Sequence, residues 1–135
     1  MRGNIGQSTV AYMLVLVGFF VSLLAGWVYG NGAAVAQSLK HAQQEALREE
    51  EVAGYFDSCA AQRLAYWLRA AHINPSSVQI LQETTDRQPA GQPVYLALRY
   101  VYRPPGSMFP PITMTADEPG VSQYLPGQAQ GGGCP

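Results

Sequence analysis

Val10 to Tyr29 reads VAYMLVLVGFFVSLLAGWVY, twenty consecutive residues without a formal charge. At a helical rise of about 1.5 Å per residue, such a stretch covers the roughly 30 Å of hydrocarbon in a bilayer. It reads as a membrane-spanning helix, and the rest of the chain is placed by it. Ahead of it stand nine residues, MRGNIGQST, with one Arg and two Gly. They are too few to fold by themselves and enough to be a short processed leader. Behind it, about 100 of the 135 residues remain for one small water-facing domain.

Charge sets the expected orientation. Arg2 precedes the span, the nearest basic residue after it is Lys40, and residues 30–58 hold two basic groups (Lys40, Arg48) against five acidic ones (Glu45, Glu49, Glu50, Glu51, Asp57). Cytoplasmic flanks carry the excess of Lys and Arg, so the tail belongs outside the cytoplasm. An ordinary secretory signal cut at Ala34-x-Ala36 is an alternative, although the apolar stretch is longer than the 7–15 residues typical of such signals. A net charge of −1 and the lack of any Lys/Arg cluster leave no footprint for nucleic acid.

Outward from the span, Gly26, Gly30 and Gly32 each cost a helix about 1 kcal/mol against Ala, which predicts a kink or loosening around residues 29–33. Residues 33–53 (AAVAQSLKHAQQEALREEEVA) have strong helix composition and no Pro, with a thin apolar stripe. The run Glu49 to Glu51 reads as a solvated acidic face. Gly54 offers a bend and Asp57 a cap for a second helix. In that helix Cys59, Ala60, Leu64, Trp67, Leu68 and Ala71 recur at three- and four-residue spacing and share one face. Asn74-Pro75 is expected to end it.

The period then changes to two. Val78 to Thr84 is a short, imperfect strand, and Asp86 to Pro93 is turn chemistry. Val94 to Tyr102 alternates cleanly, with Val94, Leu96, Leu98, Tyr100 and Tyr102 on one face. Together these predict an antiparallel hairpin covering the amphipathic helix. Residues 111–116 (PITMTA) are a third strand, its Pro tolerated at the start or on an edge, and the chain from Asp117 onward reads as loop and tail. The expected fold is α+β: a long N-terminal transmembrane or filament helix, a second amphipathic helix and a small antiparallel sheet of about three strands. The organisation is a leader over 1–6, a hydrophobic helix over 7–32, a helical extension over 33–56 and an extracytoplasmic α+β domain over 57–135.

Chemistry is sparse. His41 and His72 lie on separate helices without ligands at metal spacing, so neither a metal nor a cofactor is expected. Cys59 has no base in register to make it a nucleophile, and no phosphate loop or nucleophile elbow is present. The chain does not read as an enzyme. In an exported tail Cys59 and Cys134 are free to oxidise, and a disulfide between them would tie the C-terminus to the second helix.

One constellation stands out: Gly6-Gln7-Ser8-Thr9-Val10-Ala11-Tyr12, a short positive leader ending in Gly and followed at once by a long apolar helix. It resembles a class III signal, as found on type IV pilins and, more closely, on the TadE-like pilins of tight-adherence systems. The resemblance implies that a prepilin peptidase cuts after Gly6 on the cytoplasmic side, that Gln7 becomes the new N-terminus and that the apolar helix is retained. Tyr12 matches the aromatic that commonly follows the family's glutamate. At the fifth position after the cut, where the family carries that glutamate, this chain has Ala11. Where the family has a proline farther along, it has Val17 and Gly18.

The function so implied is that of a structural subunit, or minor pilin, of a surface filament. Its helix, through Val10, Ala11, Tyr12, Leu14, Gly18, Phe19, Ala25 and Gly26, would pack first against membrane lipid and then against copies of itself or related pilins. Gly18, Ala25 and Gly26 would allow close helix approach, and Tyr95, Tyr124 and the C-terminal loop would serve adhesion. Ala11 favours the alternative, a non-polymerising single-pass anchor of a secretion or envelope complex with an outer binding domain.

Overall fold

The computed structural model describes residues 3–106 and 109–127, with side chains from residue 6 onward. Its elements run α1 (Gly3–Ala53), α2 (Ser58–Ala70), a 3-10 turn (Pro75–Ser77), β1 (Gln79–Glu83), β2 (Pro93–Val94), β3 (Leu96–Tyr102), β4 (Ile112–Ala116) and β5 (Gly120–Val121). The fold is α+β, with a long apolar N-terminal helix, a second helix and a three-stranded antiparallel sheet. The chain divides into two compact units, Met1–Ala33 and Ala34–Pro135.

α1 is one helix of 51 residues. The break expected around residues 29–33 does not occur, because glycine lowers helix propensity without removing a backbone donor, and no proline interrupts the ladder. The helix also continues back through Gly6 and Gln7, since adding residues to a formed helix is far easier than nucleating one.

In the second unit, α1 supplies a buried stripe. Leu39, Ala42, Gln43, Ala46, Leu47, Glu50 and Ala53 recur at three- and four-residue spacing and are all buried. Leu39, Ala42, Ala46 and Leu47 of this stripe join Leu64 and Leu68 of α2, Ile73, Val94, Leu96 and Leu98, and Met114 and Ala116 of β4 in one core. Each of the larger side chains contributes about 1.5–3 kcal/mol by leaving water.

α2 begins as its sequence demands: Asp57 is extended and its carboxylate accepts the Ala60 amide at 2.8 Å. Such a cap is worth about 1 kcal/mol. It buries Ala60, Leu64 and Leu68, three of the six residues expected on its inner face. Its end differs from expectation. Asn74-Pro75 does not stop it; the amides of His72 and Ile73 turn back to the carbonyls of Arg69 and Leu68 at 3.0 and 2.8 Å, with His72 left-handed at φ 59°. This is a Schellman closure, which satisfies the last carbonyls before proline is reached. Asn74 instead caps the 3-10 turn, its side chain accepting from Ser76.

The sheet order is β1-β3-β4. β3 is central and buries Leu96 and Leu98, as its alternation requires, with Leu98 facing Ile80 on one side and Ala116 on the other. The imperfect period of β1 has a cause. Ile80 pairs with Leu98 and Gln82 with Ala97, so Leu81 is the extra residue of a bulge. A second, two-stranded sheet pairs β2 with β5; β5 lies in a region expected to be loop, and β2 takes Val94 from the start of the strand expected over Val94 to Tyr102, which is interrupted at Tyr95. Strands of two residues carry no period to read.

Candidate functional site

The stretch that carries the family resemblance lies in the first unit. Gly6 and Gln7 are helical and exposed, and a Cβ at Gly6 would meet no atom within 4 Å. Val10, Ala11, Tyr12, Leu14 and Phe19 are all exposed, Leu14 by 68%. Ala25 is half-buried, while the Cβ positions of Gly18 and Gly26 are open. Between Val10 and Tyr29, Val28 is the buried exception. The Phe19 and Phe20 rings meet edge to face with centroids 6.3 Å apart. Ser22 donates its hydroxyl to the Gly18 carbonyl at 2.8 Å, so this polar group is satisfied inside the helix and leaves no donor turned outward. The result is a charge-free stretch of helix between Val10 and Tyr29, in a helix long and apolar enough to cross a membrane, with most of the stretch's large side chains turned out. An apolar surface of this extent in water would drive association.

The second unit holds a polar cluster that differs from the expectation of a solvated acidic face. Glu49, Glu50 and Glu51 are not one solvated face. Glu49 accepts from Arg63 of α2 at 2.6 Å. Glu51 receives the Val121 amide at 3.2 Å on its side chain and the Gln123 amide at 2.8 Å on its carbonyl. Glu50 points inward, 0% exposed, and its Oε1 accepts the Thr84 amide at 3.3 Å while Oε2 has no partner. Burial pushes its carboxyl up to about 7; Thr84 opposes this by hydrogen bonding, and the charges of Glu83 and Glu51 add to it. Thr84 in turn holds β1 to β3 by accepting the Tyr95 amide on its hydroxyl at 2.8 Å, and its carbonyl accepts the Phe56 amide at 2.8 Å.

About two turns toward the N-terminus, Gln43 is fully buried and donates to the Leu96 and Glu118 carbonyls at 2.8 and 2.9 Å. Lys40 and Gln44 hold the Glu118 carboxylate at 2.6 and 2.7 Å, and these hydrogen bonds keep it below the usual carboxylate range. A signal for these residues exists in the sequence. Gln43 and Glu50 are seven apart and fall on the stripe of Leu39, Ala46 and Ala53, so two polar residues stand where apolar ones would be the simple choice.

The remaining candidates are dispersed. His41 packs its ring edge to face on Trp67 at 4.7 Å, and His72 closes α2. Among the described residues no group of three or more His, Cys, Asp or Glu could hold a metal ion. Tyr95 is exposed, but Tyr124 is half-buried, with the Arg87 guanidinium 4.5 Å from its ring and donating to its hydroxyl at 3.2 Å. Tyr124 is thereby taken up in packing. Cys59 is half-buried in the first turn of α2, and Cys134 lies outside the described residues. The chain matches no protein-family model, no curated protein and no solved structure.

Proposed function

We propose that this chain is a pilin-like structural subunit, held in the cytoplasmic membrane by α1 with its C-terminal domain outside, and then packed with other copies or related pilins in a surface filament. The observation that carries the reading is the exposed, charge-free apolar surface of α1 between Val10 and Tyr29. Lipid satisfies that surface before assembly and neighbouring helices satisfy it afterwards, so little apolar burial is lost on leaving the bilayer. The open Cβ positions of Gly18 and Gly26 support close approach of a second helix.

On this reading prepilin peptidase cuts between Gly6 and Gln7. Both residues are helical, and a peptidase acts on extended chain, so the glycine serves by making local unwinding easier. Native protein should carry Gln7 as its first residue by mass spectrometry, Gly6→Leu should leave the full-length mass in cells, and sheared surface material should contain ordered fibres by electron microscopy. Met1 retained in assembled filaments would sink the cleavage. Ala11 favours the second reading, a single-pass anchor of an envelope complex, for which a detergent-soluble monomer starting at Met1 and no fibres are expected.

An extracytoplasmic tail also supports a Cys59–Cys134 disulfide. It would close a loop of about 75 residues, worth about 4 kcal/mol in the chain-entropy model. Reducing and non-reducing gels should then differ in mobility, and Cys134→Ser should abolish the difference; equal mobility of the unsubstituted protein would remove the bond.

A further inference from the structure

Glu50 is a carboxyl shut away from water with half of its hydrogen bonding unmet, at the place where three segments meet the end of α1. Thr84, at the end of β1, bonds to its Oε1 and, through Thr84's own hydroxyl and carbonyl, to Tyr95 and Phe56. The Gln88 amide reaches the Gly54 carbonyl at 2.8 Å, fastening the β1–β2 connection to the same helix end. The charged groups that act on Glu50 are Glu83 on β1 and Glu51 on α1, both carboxylates. Its other oxygen, Oε2, is without a partner.

We propose that Glu50 is a pH-sensitive latch: with its carboxyl neutral, Thr84 and the segment to Tyr95 stay seated on the end of α1, and on ionisation that segment opens to let water reach the carboxylate. The chemistry is an imbalance between the two forms. The neutral acid places no charge in the interior, whereas the carboxylate puts a charge beside two others of the same sign with Thr84 to meet it. Between Thr84 and the buried Val94 the segment is held mainly by backbone bonds, such as those of Gln88 to Gly54 and Ala90 to Tyr124, and a connection of that kind gives way before the core does. The direction follows from burial, which raises the group from 4.5 to about 7 in the folded state. A folded value above the unfolded one means that the contribution to closure is complete below about pH 4.5 and is lost as pH rises through about 7.

The test is amide hydrogen exchange on the full chain in detergent micelles between pH 5.5 and 8.5, corrected for intrinsic exchange. The Phe56, Thr84 and Tyr95 amides should show an opening equilibrium that rises on the order of tenfold or more across that range, and Glu50→Gln should make it flat. Glu83→Gln, a substitution at an exposed position, removes a charge that raises Glu50 and should move the midpoint to lower pH. A flat profile in the unsubstituted protein, the unsubstituted profile persisting in Glu50→Gln, or an unmoved midpoint in Glu83→Gln would each overturn the latch. The Glu83→Gln arm stands even where Glu50→Gln fails to fold.

Discussion

Leu98→Ala is expected to lower the unfolding free energy by about 2–5 kcal/mol, the range for emptying a well-packed aliphatic site. Leu98 is 0% exposed in the middle of the central strand, and its neighbours across the sheet are Ile80 and Ala116. Ala116 is too small to fill the space, and the helices on the same core present Leu39, Ala42, Ala46, Leu64 and Leu68, so collapse onto the cavity is only partial. For a domain of marginal stability this is a large share of the total. Urea unfolding of the full chain in detergent, followed by Trp fluorescence, measures it, since Trp67 packs on this core. A loss under 1 kcal/mol would mean that the helices and the sheet do not share one core.

Gly54→Val should cost about 3 kcal/mol or more, for two reasons that can be separated. Gly54 has φ of +81°, which an L residue adopts at a cost of roughly 1–2 kcal/mol. A Cβ there would also come within 2.7 Å of the Gln88 carbonyl oxygen and 3.2 Å of Arg87 and Tyr124 side-chain carbons, so the segments that close over the end of α1 would be pushed away. Gly91 isolates the first part: its φ is +89°, but a Cβ meets nothing within 4 Å. Gly91→Val should therefore cost only the backbone strain, and the difference between the two variants, read by urea midpoint, reports the close approach. Equal losses would show that Gly54 matters for its backbone angle alone.

The membrane-length helix, the face of α2 and the alternation of β3 were all legible in the chain, because each rests on a property that neighbouring residues carry together. A run without charge from Val10 to Tyr29 needs no partner to be recognised. Apolar residues at three- and four-residue spacing identify Leu64 and Leu68 as inward, and a period of two does the same for Leu96 and Leu98. Asp57 likewise announces a cap by its type and place. The candidate assembly surface is legible on the same grounds, since its apolar composition needs no tertiary neighbour to be read.

Glu49, Glu50 and Glu51 were not legible in this way. Three adjacent carboxylates look alike in a sequence, yet a helix turns them about 100° apart, and the fold gives each a different fate: an ion pair with Arg63, an interior site under Thr84, and a seat for the Val121 amide. The stripe of Leu39, Gln43, Ala46 and Ala53 shows that Glu50 turns inward. The donor it meets there belongs to Thr84, which lies 34 positions away. The pairing of β2 with β5 and the halt of α2 at His72 rather than at Pro75 have the same origin. Local pattern sets which way a side chain faces, because helix and strand periods are backbone geometry. Whether a polar group there meets a partner, water or neither is set by contacts between distant segments, and only packing brings those together.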